Sequence, residues 1–214
     1  MEIVYYGHSC FQIKNKKINI VMDPYDHPDL KLKLPDLKAD VVTVSHAHRD
    51  HNAVHKIQDN PRVLDWPGEY EVNEVSFTGI SSFHDNENGA TRGENVIFII
   101  KTNGTTVCHL GDLGCKLTEA QIDQLGQIDV LLIPMGGKVS LDAKLAKEVV
   151  EQIEPRVVIP MHYKLPDTIS ELAPVDDFLK VMNLASQNLD SLNLEKISVP
   201  EDKTEIVVLK PQIS

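Results

Sequence analysis

Val41-Val-Thr-Val-Ser-His-Ala-His-Arg-Asp-His51 decides how this chain is read. It opens as a run of β-branched residues, Val41 to Val44, of the kind that forms a strand buried on both faces. It closes on Ser45 to His51, which sets three imidazoles and a carboxylate within six positions. Side chains alternate along an extended backbone, so His46 and His48 point to one side, while Asp50 and His51, on the turn that follows, can face a second position. Imidazole nitrogen and carboxylate oxygen are ligands of a borderline divalent cation such as zinc. A strand end is also where a fold displays function. The plain alternative is a solvated loop with coincidental histidines, but chance would assemble this spacing only roughly once in 800 shuffles of the same composition.

Upstream of this stretch the pattern is of short strands. Ile3–Tyr6, Cys10–Ile13 and Lys17–Met22 are rich in branched and aromatic residues and punctuated by Gly7 and Asn15. Downstream, Val75–Ile80 reads as a strand, and Asn95–Lys101 and Thr105–Leu110 flank Asn103-Gly104, a strong hairpin signal. After residue 115 helices and strands alternate. Thr118 to Gln121 forms a capping box with Gly126 placed to end the helix. Asp129–Ile133 and Arg156–Ile159 are buried strands. Between them, Asp142–Ile153 carries Ala146, Val149, Val150 and Ile153 on one helical face and stops before Pro155. A helix near Val175–Met182 and a strand at Glu205–Leu209 close the chain. Such alternation implies an α/β fold of sheets covered by helices; periodicity leaves open whether there are one or two sheets.

The composition is that of an ordinary globular protein: 214 residues, 42% hydrophobic and 25% charged. With no repeat or Gly/Ser-rich linker, a single domain over residues 1–214 is expected. The longest apolar runs, such as Val96 to Ile100, fall far short of the ~18 residues that span a membrane. The start, MEIVYYGHSC, lacks the basic-then-apolar pattern of a signal peptide. Cys10, Cys108 and Cys115 form neither a paired disulfide framework nor a zinc–thiolate spacing, as expected of reduced thiols in a cytoplasmic protein. The net charge of −11 is opposite in sign to that of a nucleic-acid binder and argues against such a partner.

With its H-x-H-x-D-H loop, the sequence resembles the metallo-β-lactamase-fold metal-dependent hydrolases, most nearly the compact branch that includes ascorbate-phosphate lactonase-like proteins. The resemblance runs from Gly7-His-Ser-Cys-Phe11 to Pro160-Met-His-Tyr163. It implies a four-layer αβ/βα sandwich and two divalent metal ions, zinc first with manganese or iron as other candidates. It also implies a metal-bound hydroxide acting on a small ester, lactone or phosphoester. On this likeness His46, His48 and His84 hold the first metal. Asp50, His51 and His162 hold the second, and Asp112, in Gly111-Asp112, bridges them. His84 fits the family's middle histidine in its order along the chain. His109 also precedes Asp112, but a strand position three residues earlier points to the opposite face. His109 is therefore expected to act beside the metals or on the leaving group, with a satisfied half-buried imidazole as the equal alternative. Asp50 is expected to take the proton released as hydroxide attacks.

Other features follow from the same likeness. Asp23 is expected to brace the metal-loop backbone, and His8 to serve as cap, packing residue or substrate contact. Pro134-Met-Gly-Gly137 is expected as a loop at the same sheet edge, where glycine permits close approach to a ligand or simply ends a strand. Trp66-Pro-Gly-Glu-Tyr70 reads as a turn with an aromatic anchor or as a pocket wall, and His27 and His55 as solvated loop residues. Two other functions share the motif: an iron-dependent oxidoreductase of the same fold, and a non-catalytic metal-binding sensor. His48 speaks against the flavin-linked di-iron members, which usually carry Glu in its place. The substrate is expected to be a small molecule, anionic if drawn to the metals, and a homo-oligomer is compatible with the sequence.

Overall fold

In the computed structural model, which describes residues 1–166, 168, 171–194 and 203–213, the strands divide between two large sheets. Chain order is β1 (Glu2–Tyr5), β2 (Phe11–Lys14), β3 (Asn19–Met22), β4 (Leu37–Lys38), β5 (Val41–Thr43), β6 (Ile57–Gln58) and β7 (Arg62–Leu64). It continues through β8 (Gly68–Val72), β9 (Val75–Phe83), β10 (Glu94–Thr102), β11 (Thr105–His109), α1 (Glu119–Leu125), β12 (Val130–Pro134) and α2 (Ala143–Ile153). The chain ends with β13 (Val157–Met161), α3 (Val175–Met182), β14 (Ser186–Leu189), β15 (Leu192–Asn193) and β16 (Glu205–Leu209). One sheet has six strands in the order β15-β1-β2-β3-β5-β7, the other eight in the order β14-β16-β13-β12-β11-β10-β9-β8, and β4 pairs with β6.

Period-two alternation decides what each face of the six-stranded sheet covers. Ile3, Tyr5, Phe11, Ile13, Ile20 and Met22 face the main core, shared with Phe77, Val96 and Ile97 of the larger sheet. Their neighbours Val4, Cys10, Val21 and Val42 face outward into a second cluster with Tyr25, Leu30, Leu37 and Ile57. Each large side chain fully buried in this way stabilises the fold by about 1.5–3 kcal/mol. The inner strands β10, β12 and β13 of the larger sheet are buried on both faces, and α2 lays Ala146, Val149, Val150 and Ile153 into the same core. The mixed α/β sandwich is thus the expected fold. Outside the six-stranded sheet, however, the described residues supply no α-helix: extended loop, the short 3-10 turns Pro28–Leu30 and Val54–Lys56, and the β4–β6 pair cover that cluster.

Local signals worked where they were strong. Thr118 and Gln121 form the reciprocal capping box, and Gly126 ends α1 at φ 59°. Asp142 caps α2 by accepting from the Lys144 and Leu145 amides. Asn103 and Gly104 both take positive φ between β10 and β11, as a two-residue hairpin of this hand requires. Residues 68–72 depart from expectation: Gly68–Val72 is not a turn but a strand pairing antiparallel with β9. Its half-exposed alternation and its Gly disguise it. Trp66 and Pro67 stay in the loop before it. Among the described residues no helix is long and apolar enough to cross a membrane.

Strand direction positions the site. In the six-stranded sheet β1, β3 and β5 all run the same way, since β2 is antiparallel to both β1 and β3 and β5 is parallel to β3. In the larger sheet β9, β11, β12 and β13 share a direction for the same reason. His8, Asp23, His46, His84, Asp112 and His162 each follow the C-terminal end of one of these strands. Backbone bonds from Val96 N to Ser45 O (2.8 Å) and from His162 N to His8 O (2.8 Å) tie the loops of the two sheets together at that edge.

Candidate metal centre

Asp112 lies at the centre of the cluster. Its Oδ2 is 3.3 Å from His51 Nε2, 3.3 Å from His84 Nε2 and 3.1 Å from His162 Nε2, and it is 2% exposed. Its Oδ1 is buried without a hydrogen-bond partner, as are His46 Nε2, His84 Nδ1 and His162 Nδ1. Buried polar atoms left unpaired cost roughly 1–3 kcal/mol each, so Asp112 Oδ1 and His46 Nε2, left so within the cluster, fit donors built for a cation. Two groups of donor atoms, each within 4.8 Å of one another, flank Asp112: His46 with His48 and His84, and His8 with Asp50, His51 and His162.

Asp23, at the end of β3, sets the imidazoles of the loop. Its Oδ1 accepts from Ser45 N (2.8 Å), and its Oδ2 accepts from Ser45 Oγ (2.5 Å) and from His51 Nδ1 (2.8 Å). With the Ser45 proton directed at Asp23, Ser45 Oγ accepts from His46 Nδ1 (2.9 Å). One carboxylate therefore fixes Nδ1–H on both rings and leaves Nε2 as the nitrogen that faces the cluster, the carboxylate–histidine arrangement that orients metal ligands. Asp23 braces the backbone as expected and, in addition, fixes two tautomers. Asn95, which the sequence reading missed, does the same for Asp112: its Oδ1 accepts from Asp112 N (2.9 Å), and its Nδ2 donates to Leu110 O and Ser82 Oγ. The one signal in the sequence was a lone amide heading the apolar run Val96–Ile100.

Two glycines allow these loops to meet. Gly111 sits at φ +58, and a Cβ there would collide with Asn95 Oδ1. At Gly136 a Cβ would collide with the His162 carbonyl oxygen. The close approach expected in Pro134–Gly137 is thus made to the loop carrying His162.

Burial and then His51 push His46 down to about 3, and burial and then His162 push His8 down to about 4. Burial lowers His84 as well. Burial disfavours the charge of Asp112, but His162 and His51 outweigh it and hold the carboxyl well below its ordinary range. Burial likewise opposes ionisation of Asp50, and the hydrogen bond to His8 overrides it. Neutral imidazoles and ionised carboxylates are the protonation states a cation needs. His51 is the exception: burial favours its neutral form, yet Asp112 and Asp23 raise it well above the ordinary value. A cation bound there would displace that proton.

His109 lies outside both groups. Its Nε2 donates to Ser9 O (2.9 Å) and its Nδ1 accepts from Gly111 N (3.1 Å), so both ring nitrogens are engaged by backbone. His27 caps the 3-10 turn at Pro28–Leu30, and His55 pairs with Asp26 at the surface. Beside His46 and His48 opens a cleft of about 530 Å³, walled by Val54, Val63, Trp66 and Arg92. Trp66, 68% exposed, does line a pocket.

Histidines and aspartates gathered at the shared edge of a two-sheet α/β sandwich define a protein class whose chemistry is metal-dependent. Residues 2–162 match the model of the β-lactamase superfamily domain, and the chain belongs to that superfamily as a metal-dependent hydrolase. It is 32% identical to a UPF0173 metal-dependent hydrolase of Thermoplasma acidophilum, covering 79% of this chain and 86% of that protein. The crystal structure of a protein from Thermotoga maritima, assigned as a Zn-dependent hydrolase of the metallo-β-lactamase superfamily, is 40% identical. It superposes with a TM-score of 0.81 over 98% of this chain and 99% of that one. A metallo hydrolase of Ignicoccus hospitalis shares the fold at 21% identity and a TM-score of 0.66, covering 98% and 95% of the two chains.

Proposed function

We propose that this chain holds two divalent metal ions, zinc first among the candidates, and hydrolyses a small ester, lactone or phosphoester. His46, His48 and His84 would hold the first metal, Asp50, His51 and His162 the second, and Asp112 would be shared. The observation that carries this reading is Asp112 Oδ2, which stands 3.1–3.3 Å from nitrogens belonging to both donor groups. When bound, a metal pair supplies a water whose pKa is lowered toward ~7 and a positive field for the attacking and leaving oxygens.

The chain's own residues then do the rest. Asp23 keeps the Nε2 lone pairs of His46 and His51 turned to the cluster, and Asn95 fixes the backbone that aims Asp112. Asp50, partly exposed and ionised, would accept a proton at the carboxylate oxygen that His8 Nε2 does not engage. The cleft, within the size range of small-molecule sites, offers Val54, Val63 and Trp66 to the apolar part of a substrate. Arg92, among the residues lining its wall, is available to a negative group. His109 acts as a positioning residue that holds the Gly111 turn against Ser9 O. The net charge of −11 disfavours a polynucleotide substrate, and three free cysteines agree with a reducing cytoplasm.

Metal analysis of protein purified without chelator, joined to a panel of ester, lactone and phosphodiester probes, tests this. Two metals per chain and turnover that chelation abolishes are expected. Absence of bound transition metal together with no hydrolysis on adding zinc or manganese would sink the proposal.

A further inference from the structure

His8 is not among the ligands that the family likeness assigns, yet it sits inside the second donor group. We infer that His8 is a third imidazole of the second metal position, beside His51 and His162, so that this position draws on three nitrogens and the carboxylates Asp50 and Asp112. The inference rests on the two-metal reading above.

Spacing is the first argument. His8 Nε2 is 3.1 Å from His51 Nε2 and 3.2 Å from Asp50 Oδ2. Atoms that share one cation at ~2.1 Å stand about 3.0 Å apart along an octahedral edge and about 3.4 Å along a tetrahedral one. His8 therefore keeps the same distances from its neighbours as His51 and His162 keep from Asp112 Oδ2, at 3.3 and 3.1 Å. Convergence is the second. His8 Nε2 stands at hydrogen-bond distance from His51 Nε2 and Asp50 Oδ2 at once; a single proton on it cannot point well at both, whereas one cation satisfies all three atoms.

Backbone conformation is the third. His8 takes φ 55°, a left-handed conformation that costs a non-glycine residue roughly 1–2 kcal/mol. Its carbonyl accepts from His162 N (2.8 Å) and Tyr5 Oη (3.0 Å), which locks the turn. The ring, 4% exposed, lies with its centroid 4.3 Å from that of His162 and 4.7 Å from that of His51. The locked turn thus gives its carbonyl to His162 and its imidazole to the cluster at once.

The rival role is a hydrogen bond that merely steers Asp50, and cobalt separates the two. Wild type, His8→Ala and His8→Gln are stripped, titrated with Co²⁺ and followed by metal content, calorimetry and visible absorption. Gln keeps a donor for Asp50 but no imidazole, and its volume guards against misfolding should the Ala variant not fold. Both variants are expected to hold the first cobalt normally and the second at least ~10-fold more weakly. The absorption of the second cobalt should change because a nitrogen has left it. Wild-type affinity and spectrum in His8→Gln would overturn the inference while leaving two metals per chain in place. A wild type that takes a single cobalt would overturn the two-metal reading, and this inference with it.

Discussion

Asp23→Asn isolates the link between a buried carboxylate and metal affinity. The substitution keeps the size of the side chain and replaces one acceptor by a donor. If the amide nitrogen takes the place of Oδ2, it faces His51 Nδ1 at 2.8 Å and Ser45 Oγ at 2.5 Å, where two acceptor contacts stood. His51 must then carry its proton on Nε2, which removes the lone pair a metal would use. If the amide flips, its nitrogen meets the Ser45 amide N–H instead, donor against donor at the 2.8 Å contact. That leaves a buried donor unsatisfied, at about 1–3 kcal/mol. In the first orientation the second metal position weakens, by the 10–100-fold typical of lost ligand-orienting partners, or about 1.4–2.7 kcal/mol; in the flipped one the amide oxygen still accepts from His51 Nδ1 and the cost falls on the stability of the metal-free fold. Ser45→Ala provides the contrast: it removes the partner of His46 Nδ1 and leaves His51 bonded to Asp23, so it should weaken the first metal and spare the second. The assay is competitive zinc titration against a chromophoric chelator, with thermal unfolding of the metal-free proteins as the folding control. Equal affinity at both positions in wild type and Asp23→Asn, together with an unchanged melting temperature of the metal-free protein, would refute the tautomer argument.

Three further outcomes follow from the same geometry. Asp112→Ala should lose at least one metal and all hydrolysis, and full occupancy with retained activity would exclude a shared ligand. His109→Gln should lower the melting temperature through two disturbed backbone contacts, about 1–3 kcal/mol, with kcat of the metal-loaded enzyme within a few-fold of wild type. A thousand-fold loss of kcat at full loading would instead restore proton transfer to His109. Gly136→Ala drives a Cβ into the His162 carbonyl oxygen. It should cost about 1–3 kcal/mol, read as a fall of several degrees in melting temperature, and weaken the second metal; an unchanged melting temperature would show that the two loops can part.

Element types were legible where the local code is strong. The α1 capping box, the α2 apolar face and the Asn103-Gly104 hairpin need only neighbours within four residues, so sequence spacing determines them. Gly68–Val72 was misread because an edge strand with half-exposed residues owes its extension to pairing with β9, a partner its own residues do not announce. The outer covering of the six-stranded sheet was likewise invisible: residues 24–36 become ordered by burying Tyr25 and Leu30 against Val4 and Val21, without a helical period.

The chemistry of the centre was written locally in Ser45–His51, because consecutive residues at a strand end cannot help but lie near one another. The order of the distant aspartate and histidines added the expectation of a second half. Which nitrogens meet was decided only when two sheets packed with their strands' C-terminal ends at one edge. That packing places His84 beside Asp112 and turns both nitrogens of His109 to backbone, although each histidine lies within reach of the metal edge along the chain. It also carries His8 across to Asp50 and His51, and Asn95 under Asp112. Contacts between residues separated by tens of positions depend on sheet order and strand direction, which no spacing in the chain encodes.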